Sequence, residues 1–390
     1  MAEKKLKQGW RKVKFGDVVR LSKARCADPL AEGVERFVGL EHLEPGDLRI
    51  RTWGDVADGV TFTSVFKPGQ VLFGKRRAYQ RKVAVADFSG VCSGDIYVLE
   101  SQDANVLMPE LLPFICQTDA FFEHAVGTSA GSLSPRTNWT SLASFAFELS
   151  RLEEQRRILS LLEQIEEQQN SYDEALVATS RLIASLMQRE FIECEAPILT
   201  LKQLCGPGGI QIGPFGAQLH SYDYTPGGIP VVMPADMTEG KVVLDRIARV
   251  PEIKAAELQQ HRVLEGDILL PRRGELDRRA WISATEAGWL CGTGSIRIRV
   301  SSEINPRGVF YALSTPSTVN WLKANAVGTT MPNLNSKIVA AIPLKLPSTQ
   351  RLTDVVSALD QLGAQAISIQ QRQSKTRDLK WQILNAGFRG

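Results

Sequence analysis

The feature that most constrains this chain is that its sequence repeats. The segment Phe66-Lys-Pro-Gly-Gln-Val-Leu-Phe-Gly-Lys-Arg-Arg77 has a counterpart in Val263-Leu-Glu-Gly-Asp-Ile-Leu-Leu-Pro-Arg-Arg273. In each, a turn at Gly69 or Gly266 feeds a short β-type run that ends in basic residues. Farther on, Gly90-Val-Cys-Ser-Gly-Asp-Ile-Tyr-Val-Leu99 is echoed by Trp289-Leu-Cys-Gly-Thr-Gly-Ser-Ile-Arg-Ile-Arg-Val300, and Ala125-Val-Gly-Thr128 recurs as Ala326-Val-Gly-Thr329. The echoes keep their order and are about 200 residues apart, half the chain. One shared tetrapeptide is weak evidence, but three in order describe a tandem duplication. At 390 residues the chain is too long for one ordinary core, and the duplication says where it divides.

Each half ends in a stretch free of proline with a helical period. From Leu152, apolar positions alternate in steps of four and three through Ile158, Leu162, Ile165, Tyr172, Leu176, Ile183 and Leu186, with Gln169 and Thr179 at polar steps. The C-terminal stretch repeats the register through Leu352, Val355, Leu359, Leu362, Ala366, Ile369, Thr376 and Ile383. A period of 3.5 residues over several heptads predicts a coiled-coil seam, which Gln169 suits as a register-setting position. At about 40 residues each, the helices reach roughly 60 Å. Ser150 before Glu153 and Glu154 reads as a cap on the first helix; Pro347-Ser348 opens the second, and Gly387 and Gly390 close it.

The expected fold is therefore α+β. Two tandem-duplicated α/β domains, 1–149 and 195–347, are separated by long antiparallel coiled-coil helices, 150–194 and 348–390, with pseudo-two-fold symmetry.

Hydrophobic residues make up 43% and charged residues 23%, as in soluble globular chains. No apolar run approaches the roughly 20 residues that cross a bilayer, so no membrane partner is expected. Met1–Lys7 is charged with no apolar stretch behind it; no secretory signal is expected, and the expected compartment is the cytoplasm. Six cysteines and four histidines are scattered without ligand spacing, so reduced thiols and no metal are expected.

The net charge is only +3, but the basic residues cluster. Lys75, Arg76, Arg77, Arg81 and Lys82 follow one predicted strand; Arg272, Arg273, Arg278 and Arg279 follow its copy. Such patches can bind phosphate inside a nearly neutral protein. The plainer reading is a solvated strand end paired with acids such as Asp87 or Glu275. A second region holds Ser132, Ser134, Arg136 and Asn138 in one half and Asn333, Asn335 and Lys337 in the other. These residues suit backbone and base contacts, or ordinary turn chemistry. Tyr79, His220 and Tyr222 are weaker candidates that could equally cover the core.

The stretches Leu149-Ser-Arg-Leu-Glu-Glu-Gln-Arg-Arg-Ile158, Gln211-Ile-Gly-Pro-Phe-Gly-Ala-Gln-Leu-His220, Gly266-Asp-Ile-Leu-Leu-Pro-Arg-Arg-Gly274 and Ile342-Pro-Leu-Lys-Leu-Pro347 resemble the specificity subunits of Type I restriction–modification enzymes. The second helix departs from the pattern, with Ser348-Thr-Gln350 where an acidic pair precedes the glutamine. The resemblance implies two target-recognition domains, each contacting half of a split site in double-stranded DNA. It implies a helix pair that sets the spacing and docks two methyltransferase (modification) subunits, with S-adenosylmethionine bound by those partners. ATP-dependent restriction subunits join where cleavage accompanies modification. Under this reading the two basic clusters and the Ser/Asn loops contact DNA, and the chain has no catalytic residue of its own.

Enzyme readings carry less. Gly69–Arg76 approaches a phosphate-binding loop, but Arg76 stands where serine or threonine holds magnesium. No Asn-Pro-Pro-aromatic or Asp-Pro-Pro-aromatic tetrapeptide is present, so an adenine-methylating site is missing. Asp236 with Glu252 and Lys254 resembles a nuclease set, which keeps a self-sufficient metal-dependent nuclease as an alternative. A coiled-coil scaffold with no DNA role is another.

Overall fold

The computed structural model describes residues 8–238, 240–328 and 332–388. It divides into two compact units, Met1–Glu174 with Gln370–Gly390, and Ala175–Ile369.

In the first unit β1 (Arg11–Lys14) passes through the turn α1 (Phe15–Val18) into β2 (Val19–Leu21). There follow β3 (Arg36–Val38), β4 (Gly54–Asp55), β5 (Ser64–Phe66), β6 (Val71–Gly74), β7 (Val83–Val85), β8 (Gly90–Cys92) and β9 (Ile96–Ser101). Then come α2 (Leu112–Ile115), α3 (Asp119–Gly127), α4 (Trp139–Ala143), β10 (Ala146–Leu149) and the long α5 (Leu152–Gln188). One antiparallel sheet runs β2-β9-β6-β7; another, β4-β3-β8-β5, contains the parallel pair β3–β8. β1 and β10 form a two-stranded ladder.

The second unit begins with β11 (Ile198–Thr200), α6 (Leu201–Leu204), β12 (Cys205–Ile212) and β13 (Ile229–Val232). It continues with β14 (Met237–Thr238), β15 (Lys241–Val242), β16 (Ala248–Val250), α7 (Glu252–Glu257), β17 (Ile268–Pro271), β18 (Ala280–Trp281), β19 (Leu290–Cys291) and β20 (Ser295–Val300). It closes with α8 (Pro306–Leu313), α9 (Pro316–Asn325), α10 (Ser336–Ala340), β21 (Pro343–Lys345) and α11 (Thr349–Gly387). Its main sheet runs β12-β20-β17-β18, strand for strand the order of the first. β13 and β19 repeat the parallel pair, and β11–β21 repeats the ladder.

Local chemistry explains the match. β6 and β17 are continuous apolar runs, buried at every position, as central strands covered on both faces should be. Each is entered through a left-handed glycine, Gly69 (φ 84°) or Gly266 (φ 87°), where a side chain would strain the backbone. Thr118 caps α3 and Thr315 caps α9; Asn138 caps α4 and Asn335 caps α10, each accepting a backbone N–H at the third residue on. The apparent phosphate-binding loop is strand β6.

One echo fails. Ala125-Val-Gly127 belongs to α3, whereas Ala326 and Val327 follow α9, and Thr329 lies outside the described residues. The structural counterpart of Val327 is Ala130; these two residues bridge to Asn333 and Arg136. The tetrapeptide match is therefore accidental, and the repeat rests on the strands.

The heptad residues pack in antiparallel order within each unit. In the first, Ile158, Leu159 and Leu162 share a core with Leu384 and Phe388. Lys380 Nζ bonds Glu166 at 2.6 Å, Gln169 donates to the Gln373 carbonyl at 3.1 Å, and Gln373 donates to Asp173 at 2.7 Å. In the second, Val355 and Leu359 share a core with Phe191, with Ile183 and Leu186 packed against it. Ile165 is buried, while Tyr172, Leu176, Leu362 and Ile369 are half-buried. The helix ends thus belong to domain cores, while these middle positions are only half-buried. Ser150 makes no side-chain cap: its Oγ is buried without a described partner, and its carbonyl accepts from Gln155. Gly387 is the last residue of α11; Gly390 lies outside the described residues.

Candidate nucleic-acid interface

In both units the basic end of the central strand meets the loop that follows the α3 or α9 helix. In the first unit Arg76 forms a backbone bridge with Arg136; in the second, Arg273 bridges Asn333. Neighbouring bonds repeat the join: Thr137 N–H reaches the Lys75 carbonyl at 3.0 Å, and Leu334 N–H reaches the Arg272 carbonyl at 2.8 Å. Two regions set apart in sequence thus form one face, twice.

On the first face, Arg76 donates to Ser134 Oγ through Nε (3.1 Å) and Nη2 (2.9 Å), and to Asp95 through Nη1 (3.2 Å). Arg136 Nε reaches the other Asp95 oxygen at 2.8 Å. Burial raises the Asp95 carboxyl, but the Arg136 and Arg76 guanidinium groups outweigh it and hold its pKa below the ordinary carboxylate value. Lys75 Nζ lies 4.6 Å from the Tyr97 ring centre, and burial lowers its pKa despite Asp95. Arg77 is exposed and left-handed (φ 53°), its N–H fixed to the Pro135 carbonyl at 2.7 Å.

On the second face, among the described residues, no acid holds the arginines in this way. Arg273 and Lys337 are exposed, and neither has a side-chain partner among the described residues. Arg272 Nε and Asn333 Oδ1 are buried and lack a hydrogen-bond partner among those residues.

Other candidates are engaged elsewhere. Arg279 is 7% exposed and bonds the carbonyls of Asp277 and Leu313; burial lowers its pKa to about 10. A side chain so enclosed cannot reach DNA, so Arg279 is corrected from contact residue to internal brace. Lys82 Nζ donates to the Leu40 carbonyl at 2.7 Å. Arg81 pairs with Asp119 and stacks over Phe122 (4.9 Å) and Trp381 (5.0 Å), while Asn385 donates to Asp119 at 2.8 Å. Arg81 thus fastens the end of α11 to α3. Arg278 pairs with Glu275, the acid that the plainer reading named. Asn138 and Asn335 spend their side chains on helix caps. Ser132 is exposed. Tyr79 and Tyr222 are exposed rather than covering a core, and His220 stacks on Tyr222 at 4.9 Å. Sequence reasoning missed Asp95, although the contrast of Ser-Gly-Asp95 with Gly-Thr-Gly294 stood within the second echo.

The residues of the nuclease alternative are each used differently. Asp236 accepts the Met233 N–H, Glu252 pairs with Arg262, and Lys254 pairs with Glu257 and Asp223. Among the described residues, no helix is long and apolar enough to cross a membrane.

Residues 222–376 match the family model for the Type I restriction modification DNA specificity domain. The Type I restriction enzyme EcoDI specificity subunit of Escherichia coli is 30% identical over 167 residues, 38% of this chain and 35% of that protein, so the alignment spans about a third of the relative. Among solved structures, the Type-I restriction-modification system S subunit from M. genitalium matches with a TM-score of 0.62 at 15% identity, over 99% of this chain and 98% of that one. A chain from a type I R-M system solved for its complex assembly and conformational transition matches over 100% of both chains, with a TM-score of 0.60 at 20% identity. At such identities the structural likeness is one of fold. Residues 222–376 thus resemble a Type I specificity domain, and the chain as a whole shares the fold of the S subunits.

Proposed function

We propose that this chain is the non-catalytic, DNA sequence-reading subunit of a Type I restriction–modification methyltransferase or endonuclease in the cytoplasm. Residues 1–149 and 195–347 act as target-recognition domains, each reading one half of a bipartite, asymmetric duplex site. The helices over 150–194 and 348–390 set the gap between the halves and dock two methyltransferase subunits, which supply S-adenosylmethionine and the methylating residues. ATP-dependent restriction subunits join the assembly where cleavage accompanies methylation.

The observation that carries this reading is the repeated joining of strand end and loop, Arg76 to Arg136 and Arg273 to Asn333. Duplication accounts for the shared junction, and both copies place an arginine at it, Arg76 and Arg273, where it can meet a polyanion. Arginine there suits both phosphate and guanine, because its planar fork bonds bidentately. The proposed contacts are Lys75, Arg76, Arg77, Ser134 and Arg136 on the first face, and Arg272, Arg273, Asn333 and Lys337 on the second. Asn138 and Asn335 position the loops by capping the helices that come after them.

Arg272→Ala combined with Arg273→Ala tests the assignment in a salt titration of duplex binding by the full chain. Affinity should fall, and the slope of log K against log salt should become shallower by about 1.8, or about 0.9 for each lost phosphate contact. Unchanged affinity across the titration would count against a DNA role for this face and favour a scaffold.

A further inference from the structure

Asp95 stands where the second unit has Gly294. The backbone fixes the equivalence: Lys75 N–H bonds the Asp95 carbonyl at 3.0 Å, and Arg272 N–H bonds the Gly294 carbonyl at 2.6 Å. The turns agree as well, with Ile96 N–H on the Ser93 carbonyl (2.9 Å) and Ser295 N–H on the Gly292 carbonyl (3.1 Å). At matching points of matching faces, one unit has a carboxylate gripping two guanidinium groups and the other has no side chain.

We propose that Asp95 is a specificity-determining residue of the first recognition face, one that the second face does without. This rests on the DNA-reading function above. A phosphate approaching Arg76 or Arg136 meets the negative charge of Asp95 and must displace it to bond the same donors. A neutral base edge meets no such repulsion. Each guanidinium carries five N–H donors, and Asp95 with Ser134 takes only some of them. The rest remain for a guanine N7/O6 pair, the edge an arginine fork matches. Asp95 therefore suppresses backbone binding and holds the forks side by side for base contact. On the second face Arg272 and Arg273 have no carboxylate partner among the described residues, so their charge is open to phosphate.

The test uses the full chain, as parent and as Asp95→Asn, which removes the charge and keeps the shape. Each is put through selection from a random duplex DNA library, then titrated with salt on the selected duplex and on random-sequence duplex. Asp95→Asn should bind random duplex several-fold more tightly, with a slope steeper by about 0.9 as a freed arginine takes a phosphate. Base preference should weaken at the first half-site and stay unchanged at the second. An unaltered slope with unaltered preference overturns the proposal, and so does equal loss of preference at both halves.

If Asp95→Asn does not fold, Arg136→Gln at the exposed side of the pair decides. Weaker first-half preference with an unchanged salt slope supports the proposal; a slope shallower by about 0.9 means Arg136 grips phosphate and overturns it. A parent chain that enriches no sequence overturns the DNA-reading function together with this proposal. Enrichment by the parent with an indifferent Asp95→Asn overturns this proposal alone.

Discussion

At the scale of single residues, arginines from basic pairs that read alike in sequence have opposite fates. Arg77 sits in the left-handed region, where a non-glycine residue costs roughly 1–2 kcal/mol. The matching hairpin of the second unit uses Gly274 (φ 80°). Arg81 (φ 56°) offsets the same strain through Asp119 and Trp381, whereas Arg77 is exposed with no side-chain partner among the described residues, which suits a side chain used outside the fold. Arg77→Gly should leave stability within about 1 kcal/mol of the parent, since glycine relieves strain but loosens the unfolded chain. Its affinity for the selected duplex should nevertheless drop, by about 1–3 kcal/mol if Arg77 pairs with a base. Thermal unfolding and fluorescence anisotropy together check this; equal affinity would remove Arg77 from the interface. Arg279 is the converse. Arg279→Ala would take the buried donor from the Leu313 carbonyl, costing about 1–3 kcal/mol in urea unfolding. Local sequence could not separate the two, because Arg76-Arg77 and Arg278-Arg279 are both basic pairs beside a strand. Only the packing around Leu313, remote in sequence, decides which arginine is enclosed.

At the scale of elements, the long helices were legible because a 3.5-residue period survives over many turns. The period could not reveal that their ends merge with domain cores, nor the ion pairs that fasten them. Arg351 in α11 bonds Glu190 just beyond α5, through Nε at 3.0 Å. The side-chain bond from Arg351 comes first; burial opposes it and Arg189 adds to it, bringing the Glu190 pKa down from 4.5 to about 2. A carboxyl whose folded pKa is depressed contributes stability that is fully present above its unfolded pKa and fades as pH falls toward the folded one. Comparing melting temperatures of the parent and Glu190→Gln should therefore show a constant gap above about pH 5.5, narrowing from about 4.5 downward. A gap that stays constant to pH 3 would mean that the Arg351 contact contributes nothing through charge. The polar seam position Gln169 also finds its partner across the pair, on the Gln373 carbonyl.

At the scale of the whole molecule, duplication was legible because strands keep their spacing even when their residues diverge. β6 and β17 lie in identical strand orders although they share only Leu72 with Leu269 at matching positions. The two basic faces were half legible: their arginines and the contrast of Asp95 with Gly294 stood in the sequence, but their junction with distant loops, and the grip of Asp95 on Arg76 and Arg136, came from folding. Two such faces, one in each unit, suit a split target. α5 and α11, of 37 and 39 residues, run roughly 55–60 Å at 1.5 Å per residue. That is more than one turn of duplex, about 34–36 Å, and stiffer than any loop connection. Deleting Ala175–Ala178 from α5 removes about 6 Å of rise and turns the remainder of the helix by about 40°. Along DNA the shortening equals roughly two base pairs. Expressed beside its neighbouring methyltransferase, the shortened chain should methylate nothing or a target whose halves lie closer together, as read by methylome sequencing. Methylation of the parent sequence with the parent gap would mean that something other than these helices sets the distance.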